Sequence, residues 1–151
     1  MRDLHPDFRD LFALLNSEGV RYLVIGGYAV NFHGYHRNTK DVDIWIALEQ
    51  ANADRVSRAL QRFGFSSASV PASGFLERGR VFIFGREPIR VDILNDPSGV
   101  EFEACYSRRV EIELEGVRMP FISLSDLRQN KTACNRIQDQ ADLHNLPPAS
   151  E

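Results

Sequence analysis

The stretch RYLVIGG, residues 21–27, constrains the fold more than any other part of the chain. A short apolar run closed by two glycines reads as a buried strand running into a tight turn. The next strand follows soon after, at 41-DVDIWIA. Its alternation puts Val42, Ile44 and Ile46 on one face and Asp41, Asp43 and Trp45 on the other. Residues 28–34 between the two read as a short helix.

Helical spacing brackets this pair of strands. Phe8, Leu11, Phe12 and Leu15 recur at i, i+3, i+4 and i+7 over residues 6–18, with Pro6 at the start and Gly19 just past the end. Residues 49–64 repeat the pattern with Ala53, Val56, Ala59, Leu60 and Phe63 inward and Gly64 as the stop. The segment 65-FSSASVPASGFLERG is small, polar and punctuated by Pro and Gly, so it reads as a loop. Beyond it, 80-RVFIFG and 89-IRVDIL read as strands joined across 85-GREP. A hairpin follows from 108-RRVEIEL and 117-VRMPFI around Glu115-Gly116, with Pro120 suggesting an edge position. The last element starts at Ser123 or Ser125 and is expected as one helix to about His144, with Leu127, Cys134, Ile137 and Ala141 as its apolar stripe.

The order is that of an α/β (α+β) domain, a mixed β-sheet flanked by helices. Its 151 residues suffice for one core, so a single domain is expected over 1–146 with a frayed tail at 147–151. A net charge of -3 gives no general affinity for nucleic acid or anionic membrane, so a polyanionic ligand must be held by local features. The charged N-terminus does not read as a signal peptide, and no run approaches the roughly 18 apolar residues of a membrane span. A cytoplasmic location without membrane contact is the expectation. Cys105 and Cys134 lack metal-ligand spacing and read as packed thiols.

The chemistry concentrates in three aspartates. Asp41 and Asp43 project from one face of a strand, where their repulsion is relieved by a cation between them. A hard ion such as Mg²⁺ suits that place, since it takes carboxylate oxygens and leaves positions for phosphate and water. Asp92 lies between Val91 and Ile93 in an otherwise apolar strand, where a charge must ligate a metal or pair with Arg80 or Arg90. Gly26 and Gly27 let a phosphate approach the turn without a Cβ in the way. Arg37 offers a guanidinium fork and Thr39 a hydroxyl to phosphate or ribose oxygens, or either holds the loop. Lysines are scarce, two against sixteen arginines, and both, Lys40 and Lys131, fall beside these features. Lys131 reaches a triphosphate or snorkels along the last helix. His33 and His36, with no ligand partner at suitable spacing, read as packing or surface residues.

Taken together, Gly26-Gly27, a thirteen-residue gap, Asp41-x-Asp43 and Val91-Asp92-Ile93 resemble the nucleotidyltransferase superfamily typified by DNA polymerase β. The chain looks most like the small bacterial members, whose pattern also contains Ala29, His33, Gly34, Arg37 and Thr39, and a late helix matched by Lys131, Arg136, Asp139 and Asp142. That resemblance implies transfer of a nucleoside monophosphate from an NTP to an acceptor hydroxyl, with pyrophosphate released. It implies two Mg²⁺ ions, replaceable by Mn²⁺, with Asp41 and Asp43 ligating both and Asp92 the one on the acceptor side. Gly26, Gly27, Arg37, Thr39, Lys131, Arg136, Asp139 and Asp142 would bind the nucleotide. Gln138 stands where many relatives have a lysine. The acceptor is open between small molecule, RNA and protein. Larger relatives carry a helical second domain with the acceptor site, so a homodimer or a partner protein is expected to complete it here. Relatives include antibiotic-modifying enzymes and halves of toxin–antitoxin pairs. The alternative is a catalytically weak nucleotide-binding or partner-binding module on the same fold.

Overall fold

A computed structural model describes residues 4–39, 41–86 and 88–149. Helix α1 (Pro6–Ser17) buries Phe8, Leu11, Phe12 and Leu15 and leads into β1 (Tyr22–Ile25). The glycines are not a separate turn ahead of a helix. They are the first residues of α2 (Gly26–Phe32), entered directly from β1 because Gly26 adopts φ +66°. Strand β2 (Asp41–Ile46) and α3 (Gln50–Phe63) follow, and Gly64 ends α3 at φ 129°.

The expected loop at 65–79 contains a 3-10 helix (Ala72–Leu76) that packs on α3 and buries Phe75. Asn95 pins the loop from the far side, donating to the Phe75 and Glu77 carbonyls at 3.0 and 2.9 Å and accepting from the Gly79 N–H. Strands β3 (Val81–Arg86) and β4 (Ile89–Leu94) come next. Helix α4 (Phe102–Ser107) occupies a stretch with no periodic signal. The Glu101 carboxylate caps it, accepting from the Glu103 and Ala104 N–H groups. A hairpin of β5 (Val110–Leu114) and β6 (Val117–Phe121) closes through Glu115 and Gly116 at φ 51° and 82°, the positive values a tight two-residue hairpin turn demands.

Two expectations fail at the C-terminal end. The last helix is two: α5 (Leu124–Cys134) and α6 (Ile137–Asn145), separated at Asn135, which takes the left-handed conformation at φ 52°. The break resets the helical phase, so Ile137 is 87% exposed and Ala141 is also exposed, while α6 buries Asp139 and Asp142. Pro120 does not lie at a sheet edge either. Among the described residues the six strands run β3-β4-β2-β1-β6-β5, with β6 inside and β5 at the edge. Strand β6 meets β1 in register only at Val24↔Phe121, so the missing N–H of Pro120 is not needed along that short ladder.

Parallel pairing of β2 with β4 and antiparallel pairing of β4 with β3 align two faces across the sheet. One face is apolar: Val42 and Ile44, then Val91 and Ile93, then Phe84 and Phe82, with the Phe75 ring 4.6 Å from that of Phe82. The opposite face presents Asp41 and Asp43, then Arg90 and Asp92, then Gly85 and Ile83. Trp45 shares this second face but is buried edge-on against Phe102 of α4, ring centres 5.2 Å apart. Among the described residues no helix is long and apolar enough to cross a membrane.

Candidate active site

The C-terminal end of β1 meets the second face at Asp43. Ile25 is its partner on β1 and Asp92 its partner on β4, so turn, Asp-x-Asp strand and third aspartate fall in one row. A Cβ built on Gly26 would lie 1.9 Å from the Asp43 Oδ2, and one on Gly27 would lie 2.3 Å from the Thr39 Oγ1. Both glycines are therefore dictated by the side chains pressed against them, and at Gly26 the positive φ makes a second demand. Burial, then the charges of Asp92 and Asp41, push the Asp43 carboxyl up to about 7 against the pull of Lys131 and Arg90.

A chain of alternating charges stands opposite the aspartate row. Arg37 grips Asp142 in a fork, Nε and Nη2 donating at 2.7 and 2.9 Å. Lys131 Nζ lies 3.0 Å from both the Asp142 and the Asp139 carboxylates. Arg136 donates from Nε to Asp139 at 2.7 Å and from its backbone N–H at 3.1 Å. Both aspartates are 0% exposed, a position tolerable for a charge only because each is paired and hydrogen-bonded. Burial alone would raise their carboxyls. Hydrogen bonds from Arg136 and Lys131 hold Asp139 below the usual range, and those from Arg37 and Lys131 do the same for Asp142. Gln138 joins by donating to Asp142 at 2.9 Å.

A cleft of about 400 Å³ separates the two groups. Gly26, Gly27, Asn38, Thr39, Asp41 and Asp43 line it together with Arg37, Lys131, Arg136, Gln138 and Asp139. Asp92 and Asp142 stand outside this lining. Lys40 lies outside the described residues. His33 packs as expected: its Nε2 is 2.7 Å from the Ile122 carbonyl, and burial lowers its pKa.

Arg90 enters where the sequence left Asp92 a choice. Its Nε and Nη2 donate to the two Asp92 oxygens at 2.9 and 3.1 Å, and Nε lies 3.6 Å from the Asp41 Oδ2. Among the described residues no group of three or more His, Cys, Asp or Glu side chains is arranged to hold a metal ion. Two further contributors escaped sequence reading. Asn31 fixes the Arg37 backbone through a 2.8 Å bond, and Asn38 lines the cleft. An asparagine carries no signal of that kind in one sequence.

A strand that runs into a helix beginning on two glycines, set against an Asp-x-Asp strand within a mixed sheet, defines a nucleotidyltransferase fold, and solved structures share it. LnuA, a lincosamide antibiotic adenylyltransferase with lincomycin bound, aligns with a TM-score of 0.59 at 15% identity, covering 96% of this chain and 97% of that one. The Thermotoga maritima protein TM1012, a presumptive nucleotidyltransferase, aligns at 0.57 and 18% identity over 95% and 94%. An antigenic nucleotidyltransferase-like protein from Paracoccidioides brasiliensis aligns at 0.55 and 14% over 91% and 70%. Residues 4–147 match the family of nucleotidyltransferases of unknown function (DUF6036), and the chain belongs to that family. Among curated proteins, none matches it in sequence.

Proposed function

We propose that this protein transfers a nucleoside monophosphate from an NTP to an acceptor hydroxyl and releases pyrophosphate, in a reaction that depends on Mg²⁺ or Mn²⁺. One observation supports the reading: Gly26, Asp41 and Asp43 line a cleft together with Arg37, Lys131 and Arg136, and Asp92 lies in register with Asp43 just outside it. Asp41 and Asp43, two carboxylates that line the cleft, would be the donors to a divalent ion, with phosphate and water oxygens completing its shell. Burial, and then the charges of Asp92 and Asp41, raise the Asp43 carboxyl to about 7, a condition that a bound cation relieves.

When bound, the metal neutralises charge on the phosphates and favours the attacking oxygen. The chain supplies position. Arg37, Lys131 and Arg136, fixed by buried Asp139 and Asp142, present positive charge to the triphosphate without reorganising. Gly26 and Gly27 let Asp43 and Thr39 pack directly against the start of α2, which holds both side chains at the cleft where the phosphates would lie. The acceptor oxygen bonds to the α-phosphorus as the bond to the pyrophosphate oxygen breaks; in this reading Asp92, once released by Arg90, would take the acceptor's proton. The lincomycin-bound adenylyltransferase, matched along nearly its whole length, favours a small-molecule acceptor over one that needs a second domain. Toxin–antitoxin pairing and a homodimer or partner that completes the site remain alternatives to it.

Calorimetry with ATP, GTP, CTP and UTP, with and without Mg²⁺, tests this on the native chain and on Asp41→Ala/Asp43→Ala. Binding is expected to need the metal and to be lost in the double variant. Binding indifferent to both would end the enzyme reading. A second reading, a nucleotide-binding module with little turnover, is favoured by the Arg90 fork on Asp92. Labelled NTP incubated with cell extract separates the two, since only the enzyme passes label to small molecules, RNA or protein.

A further inference from the structure

Arg90 lies two residues before Asp92 on β4 and directly across from Asp41 on β2, so the strand register fixes it beside both carboxylates. Its fork engages both Asp92 oxygens, and the same guanidinium approaches Asp41 to 3.6 Å. A bidentate pair of this kind usually needs no explanation beyond stability. Here the two carboxylates it spans belong to the three that the proposed function assigns to metal. Exposure separates it from Lys131, whereas Arg136, 73% exposed, is held on Asp139 and not on the three aspartates. The Arg90 side chain is 34% exposed at the rim, whereas that of Lys131 is 6% exposed and tied to two buried aspartates. Beyond Arg90 the face is open, since Ile83, in register with Asp92, is 58% exposed. The guanidinium therefore has space to leave Asp92, and Lys131 does not have space to take its place.

We propose that Arg90 is a built-in counter-cation for Asp41 and Asp92, which a divalent ion must displace before Asp92 can serve as a ligand. The inference rests on the metal-dependent reading above. In the metal-free chain Arg90 relieves the repulsion among the aspartates. On loading it competes, so it lowers the metal affinity below what the carboxylates alone would give. It also keeps Asp92 out of the donor set until the competition is won.

Titration of Mn²⁺ alone into the full chain, followed by calorimetry, tests this with Arg90→Gln, Arg90→Lys and Asp41→Ala/Asp43→Ala beside the native protein. Arg90→Gln is expected to melt at a lower temperature without metal yet to bind Mn²⁺ about tenfold more tightly, as expected for loss of a charge-assisted competitor. Arg90→Lys keeps the charge but not the fork and should fall between the two, which preserves the test if the Gln variant folds poorly. A lower melting temperature with unchanged or weaker Mn²⁺ binding makes Arg90 a structural ion pair and overturns the proposal. In that case the function reading survives, provided the native chain binds Mn²⁺ and the double aspartate variant does not. If no variant binds Mn²⁺, both fall together.

Discussion

Gly26 has no room for a side chain, and for two separate reasons. Its φ of +66° costs an L-residue about 1–2 kcal/mol, and a Cβ there would displace the Asp43 carboxylate. Gly19 provides the control, with φ +73° and nothing within 4 Å of a built Cβ. Gly19→Ala is expected to lower stability by the conformational cost alone and to leave nucleotide binding intact. Gly26→Ala is expected to lower stability further and to abolish metal-dependent NTP binding, read by thermal melting and calorimetry. Residues of this kind were the legible part of the site. Two glycines after an apolar run and three aspartates in apolar strands are visible because each violates what its neighbours lead one to expect. Arg90 was visible only as one of two options for Asp92, since sequence does not say which way a side chain turns.

At the scale of elements the C-terminal helices carry the lesson. Reading one helix from Ser123 to His144 passed over Asn135, a residue type that tolerates the left-handed conformation it adopts here. Because the break resets the phase, the buried face of α6 is made of two aspartates, the opposite of an apolar stripe. Lys131 on α5 holds them, so the two helices are joined by charge more than by oil. Lys131→Met should cost about 3 kcal/mol by leaving buried carboxylates short of a partner. The pH dependence has a definite sign. Asp139 and Asp142 are depressed in the folded chain, so their contribution is present above the ordinary carboxylate pKa of about 4 and is lost as pH falls below it. Melting temperature against pH should drop steeply in acid for the native chain and more shallowly for Lys131→Met. An equal slope in both would mean that Lys131 does not set those pKa values.

Across the whole molecule, protection should follow position in the sheet. Strands β1 and β2 are central, and Leu23, Val24 and Ile44 are fully buried, whereas β3 and β5 form the edges. Amide hydrogen exchange is expected to be slowest in β1 and β2 and fastest in β3 and β5. Exchange as slow in β3 as in β2 would show that this edge is covered in solution. Strand β1 was legible because burial on both sides makes it continuously apolar, and β2 because its apolar residues alternate with the aspartates. Sheet order was not, since Pro120 behaves as an edge residue locally while its strand lies inside.

The pairing of Asp43 with Asp92 also acts as a spelling check on the sheet. If β4 slid by one residue against β2, Asp92 and Arg90 would turn into the apolar face beside Val42 and Ile44, while Val91 and Ile93 turned out towards the aspartates. A slip in hydrophobic residues alone is a modest error, but a slip that buries a carboxylate and a guanidinium away from their partners is a severe one. The residues assigned to chemistry thus reject misaligned sheets while the chain folds, whether or not a nucleotide is present.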